Sequence, residues 1–123
     1  MRSGLILFAH GARDPRWAEP FEAIAAAVRA RAPDVDVRLA FLELMAPDLP
    51  TVADAMVVDG CTRIDILPLF LGTGGHLRRD LPPLVDDIKA RHPSLSIALH
   101  PAAGEAPSLI AAMADHAISL THS

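Results

Sequence analysis

His10 and His76 each follow an apolar run that reads as a buried strand, and Glu43 follows a third. Imidazole nitrogen and carboxylate oxygen are intermediate to hard donors, suited to divalent cobalt, nickel, iron or zinc rather than to a soft ion such as Cu(I). Two histidines and a glutamate would leave coordination positions open, the arrangement of a site that exchanges or reacts. A lone histidine is ordinarily a loop hydrogen bonder. Two at adjacent strand ends, with an acid at a third, favour function.

The elements that must position these donors follow from the apolar pattern. Runs at Leu5 to Ala9, Val35 to Leu42, Ile64 to Phe70 and Leu95 to Leu99 alternate with segments of helical period. The helical faces are Trp17, Phe21, Ile24, Ala25 and Val28; Leu49, Val52, Ala53, Met56 and Val57; Leu81, Leu84, Val85 and Ile88; and Leu109, Ile110, Met113 and Ala117. Alternating strands and helices imply a parallel sheet with helices on both faces. With right-handed crossovers this predicts a flavodoxin-like α/β fold, an open four-stranded sheet of order 2-1-3-4, in one domain over residues 1–123. Its switch point lies between strands one and three, where His10 and His76 should flank one crevice.

Prolines suggest the helix starts. Asp14 before Pro15, Asp48 before Pro50, Asp80 before Pro82 and Pro83, and Gly104-Glu105 before Pro107 read as caps followed by first-turn prolines. Pro20 would break a helix that began at Pro15, so an irregular turn over residues 14 to 19 and a regular helix from about Glu19 are expected.

Composition narrows the function classes. Hydrophobic residues make up 51% of the 123 and aromatics 4%, which predicts a core of Leu, Ile, Val and Ala rather than ring stacks. Few aromatics and a net charge of −4 argue against nucleic acid as a partner. No apolar stretch reaches bilayer length, and Leu5 to Ala9 is shorter than a signal-peptide core, so a soluble cytoplasmic protein with no membrane partner is expected. The single cysteine, Cys61, reads as a small packed residue beside Gly60.

Gly72-Thr73-Gly74-Gly75 before His76 could let backbone approach a ligand or move as a lid, although an ordinary loop fits equally well. It is neither a P-loop nor a dinucleotide fingerprint. Arg13, Arg78 and Arg79 make the crevice mouth locally positive, attractive to an anionic ligand, unless they pair with Asp14 and Asp80. His92, His116 and His122 read as solvated, and His100 is the remaining candidate for ligand contact.

At these residues the chain resembles the short, single-domain sirohydrochlorin cobaltochelatases, the CbiX-type members of the class II tetrapyrrole chelatases. The resemblance covers nearly the whole length and rests on LFAHGARDPR, FLELMAPDLP and LPLFLGTGGHLRRDLP after the first three strands. It implies insertion of a divalent metal, cobalt by preference and Fe2+ or Ni2+ as possible substrates, into the tetrapyrrole sirohydrochlorin on the way to cobalamin, with no organic cofactor. It also implies that His10, Glu43 and His76 handle the metal, and that the chain is similar to one half of the two-lobed chelatases and works as a homodimer. By their own chemistry and position, Arg13, Gly74, Gly75, Arg78 and Arg79 are then the residues expected to contact the macrocycle. No histidine-rich insertion is present, so nothing suggests a metal-storage loop.

Metalation strips water from the ion and removes two pyrrole protons, which loosely held ligands and a base can do. Three other readings stand beside this one. A ferrochelatase making sirohaem would share all these residues. A carrier would use the crevice without turnover. A histidine phosphatase would want an arginine where Ala9 stands.

Overall fold

The computed structural model describes residues 2–72 and 74–121, with the His76 side chain outside that description. Four strands, β1 (Arg2–Ala9), β2 (Asp36–Phe41), β3 (Cys61–Pro68) and β4 (Ser96–Leu99), form one parallel sheet in the order β2-β1-β3-β4. Helices α1 (Glu19–Arg31), α2 (Leu49–Val58) and α3 (Gly75–Arg91) link them, and α4 (Pro107–Ser119) follows β4. The expected order and both-face arrangement are thus observed.

Alternation along the strands sorts the side chains between two layers. Ile6 and Phe8 of β1, with Ile64 and Ile66 of β3, point toward α2 and α3, where Leu49, Val52, Ala53, Met56, Leu81, Val85 and Ile88 are buried against them. Leu7 and Val37 point the other way and meet Ala25 of α1. Burying each large aliphatic side chain contributes about 1.5–3 kcal/mol, so the α2–α3 layer carries most of the stabilisation. Cys61 is 4% exposed, as expected of a packed residue.

Local signals set two of the helix starts. Asp14 accepts from the Arg16 amide at 2.9 Å and caps a 3-10 turn over Pro15–Ala18, after which α1 begins at Glu19, as Pro20 required. Asp48 accepts from the Thr51 amide at 2.9 Å at the head of α2.

The other two differ from expectation. Asp80 lies within α3 and not at its head: the helix starts at Gly75, with Pro82 and Pro83 inside it. Each interior proline costs about 3 kcal/mol. The apolar face extends back through Leu81 to Leu77, which packs on the core, and this burial with the extra helical turn offsets the loss. Glu105 caps the short turn before α4 instead, accepting from the Ala102 amide at 3.2 Å, while α4 itself has Ala106 at its N-cap and no side-chain cap bond.

The core is mainly Leu, Ile, Val and Ala, as expected, and the few rings meet one another. Trp17 lies against Phe21 and Phe41, with ring centroids 4.5 and 6.5 Å away, and Phe8 is 6.1 Å from Phe70. Phe8, Phe41 and Phe70 stand at or just beyond the carboxyl ends of β1, β2 and β3, with Trp17 and Phe21 packed toward Phe41.

Candidate metal and macrocycle site

β1 ends in four buried residues, Ile6 to Ala9, and His10 emerges exposed immediately after them. β2 ends at Phe41, and two backbone bonds continue its pairing with β1: the Leu42 amide donates to the Ala9 carbonyl at 2.9 Å and the Glu43 amide to the His10 carbonyl at 3.0 Å. Glu43 is also exposed. The two donors therefore stand side by side at the sheet's rim.

This junction depends on Gly11. Its φ is +99°, and a Cβ there would lie 1.8 Å from the Glu43 carbonyl oxygen. Only glycine fits both constraints. Leu44, at φ +64°, takes the left-handed conformation in the opposite loop, which contains a cis Ala46–Pro47 bond; the Phe41 amide donates to the Pro47 carbonyl at 2.9 Å.

Beyond β3 the Leu69 amide donates to the Phe8 carbonyl at 2.7 Å, which carries the chain alongside β1 as far as Phe70. The Phe70 ring lies under the His10 imidazole, centroids 4.1 Å apart and planes tilted by 32°. The chain then leaves the sheet, and α3 begins at Gly75 behind an N-cap at Gly74. His76 is thus the second residue of a helix rather than part of a free loop. What was expected of its side chain, and of Thr73, lies outside the described residues. Among the described residues no three His, Cys, Asp or Glu side chains form a metal-holding group.

The arginines divide. Arg13 is exposed, and Asp14 pairs with Arg16 rather than with it. Arg78 lies 3.9 Å from Glu105, and the Arg79 Nε donates to the Gly75 carbonyl at 3.3 Å. Arg78, Glu105 and His100 line a cavity of about 460 Å³ between α3 and the end of β4. This cavity adjoins the rim but does not include His10 or Glu43.

Two further histidines are engaged with carboxylates. His100 Nε2 is 2.8 Å from Asp65 Oδ1, and that contact, with Arg63 assisting, holds the Asp65 carboxyl below the usual range. His92, expected to be solvated, is 2.7 Å from Asp54 Oδ1, a contact that lowers the Asp54 carboxyl. His116 is exposed on α4, and His122 lies outside the described residues. Sequence reasoning missed Gly11 and Phe70, whose parts depend on residues from other strands; the HG and LFL pairs were the only signals available.

A parallel sheet whose first two strand ends bring together a histidine and an acid, beside a glycine-led helix after the third, defines a small α/β domain of the chelatase fold. The chain belongs to the CbiX family, whose model matches residues 4–120. The crystal structure of a putative cobalamin biosynthesis CbiX protein from Marinobacter aquaeolei superposes with a TM-score of 0.86 at 32% identity, over 97% of both chains. The sirohydrochlorin chelatase SirB from Bacillus subtilis subspecies spizizenii, solved in complex with cobalt, superposes with a TM-score of 0.82 at 25% identity, over 97% of this chain and 51% of that one.

Among curated proteins, a sirohydrochlorin ferrochelatase of Bacillus subtilis is 29% identical over 79% of this chain and 37% of its own length. A sirohydrochlorin cobaltochelatase of Methanococcoides burtonii is 33% identical over 67% of this chain and 63% of its own. The chain thus spans less than two thirds of these curated relatives. No described helix is long and apolar enough to cross a membrane.

Proposed function

We propose that this protein inserts a divalent metal ion, cobalt by preference, into sirohydrochlorin. The observation that carries this reading is the joining of His10 to Glu43 at the rim of a CbiX-family sheet, beside the helix start that bears His76. The ion is a substrate. His10, Glu43 and His76 would hold it after it sheds water, and as it enters the macrocycle two pyrrole N–H protons leave in turn, each accepted by an imidazole nitrogen released from the metal and passed on to solvent. Exposure suits His10 to this, since a proton accepted there passes directly to solvent. Arg13, Arg78, Arg79 and the backbone at Gly74 and Gly75 would bind the peripheral carboxylates. Iron insertion to give sirohaem is the second reading, favoured by the Bacillus relative's name.

The reading includes a homodimer in the cytoplasm. α4 has no buried residue, and Ile110, Met113, Ile118 and Leu120 are 55%, 48%, 56% and 74% exposed. An apolar groove of about 440 Å³, lined by Phe21, Ile24, Leu67, Leu69 and Leu71, lies open on the α1 side of the sheet. A second copy would cover both surfaces and supply the lobe that SirB, at twice the matched length, has within its own chain.

The deciding experiment mixes purified protein with sirohydrochlorin and Co2+ or Fe2+ and follows the absorption change on metalation. Many turnovers per chain are expected. A change that stops at one equivalent would instead mark a carrier, and the faster metal decides between cobalt and iron.

A further inference from the structure

Phe70 is 4% exposed and belongs to the large core layer with Phe8, whereas His10 above it is exposed. The stack with Phe70 is the ring contact that ties this imidazole to the core. A metal or proton meets imidazole in the ring plane, at a nitrogen. Stacking on one face leaves those edges open while fixing the tilt of the plane, and so the direction of both nitrogen lone pairs.

Phe70 is itself held from a distant part of the chain. Its carbonyl accepts from the Gly104 amide at 2.9 Å, and a Cβ at Gly104 would lie 1.8 Å from the Leu71 carbonyl oxygen, so the two segments meet backbone to backbone. The same residue therefore supports His10 from below and anchors the chain that runs on to His76.

We infer that Phe70 is a positioning residue for His10, orienting the imidazole for metal transfer through its ring face. This rests on the chelatase reading for its kinetic consequence and on geometry alone for the stack. The substitution Phe70→Leu keeps apolar volume and removes the ring face; Phe70→Tyr restores the ring. In the metal-free wild type, the His10 ring protons should be shifted upfield by the Phe70 ring current in NMR spectra, a shift lost in Phe70→Leu and regained in Phe70→Tyr. The kcat for insertion should fall about three- to tenfold in Phe70→Leu, with KM for sirohydrochlorin changed less than about twofold. Affinity for Co2+ alone, read from its visible absorption, should weaken over the same range.

Ile88→Val, elsewhere in the same core, serves as a destabilised control that should leave kcat unchanged. Full kcat in Phe70→Leu, an equal loss in Phe70→Tyr, or unshifted His10 protons in the wild type would overturn the proposal. Absence of turnover in the wild type would instead defeat the chelatase reading, while the NMR and Co2+ measurements still decide the role of Phe70. Should Phe70→Leu fail to fold, the wild-type shift and the Phe70→Tyr kinetics decide it.

Discussion

The Glu43 amide donates to the His10 carbonyl at 3.0 Å, so the first two strands remain joined one residue beyond the point where each side chain turns outward. A backbone link of this kind fixes the spacing of two side-chain donors while leaving both wet. Four consequences can be measured.

Replacing His10 by Ala should lower the insertion rate by about a hundredfold or more, the scale on which a positioned acid or base contributes. Because the ring is exposed, thermal unfolding should stay within a few degrees of wild type. Retained activity would remove His10 from the mechanism.

Gly11→Ala acts on the link itself. The new Cβ meets the Glu43 carbonyl oxygen at 1.8 Å and the backbone must keep a φ of +99°. A cost of about 1–3 kcal/mol in urea unfolding is expected from the backbone conformation, with the clash added. Insertion should fall in the fraction that remains folded, since His10 and Glu43 can no longer share their hydrogen bond.

At the opposite end of the sheet, Asp36 accepts from Arg38 Nε and Nη2, both at 2.9 Å. The Arg38 guanidinium, with Arg2 at 3.7 Å, holds the Asp36 carboxyl below the ordinary 3.8 against the opposing effect of burial. A depressed folded-state pKa stabilises the protein above 3.8, and that stability is lost as pH falls through the folded value. Asp36→Asn should therefore cost about 1.5–3 kcal/mol at neutral pH, the worth of charge-assisted hydrogen bonds. The difference between the two proteins in urea unfolding should begin to shrink below about pH 4 and vanish only below the folded-state value.

The dimer reading predicts that sedimentation of the wild type gives twice the chain mass. An Ile110→Asp or Met113→Asp substitution on α4 should shift it to the monomer, because a carboxylate on an apolar contact face cannot be buried unpaired. A monomeric wild type would sink this part of the proposal.

Much of this was readable in the chain before any coordinates. Alternation of apolar runs with helical periods calls for a parallel sheet covered on both faces, and one-handed crossovers in so short a chain pointed to the order 2-1-3-4. Pro20 announced the displaced start of α1, since its missing N–H is tolerable only in a first turn. The same logic failed at Pro82 and Pro83, where burial of Leu77 and Leu81 outweighed local propensity. His92 was misjudged for a related reason: its partner, Asp54, is distant in the chain.

By itself, then, the sequence determined the layers, the order of the strands and the presence of donor residues at their ends, all of which follow from local periodicity and residue chemistry. Only the tertiary structure decided that Gly11 lets His10 and Glu43 share a hydrogen bond, that Phe70 lies beneath the imidazole, and that α4 leaves its apolar side chains open. Those relations arise from close packing between segments far apart in the chain, where fractions of an ångström matter and no local pattern records them.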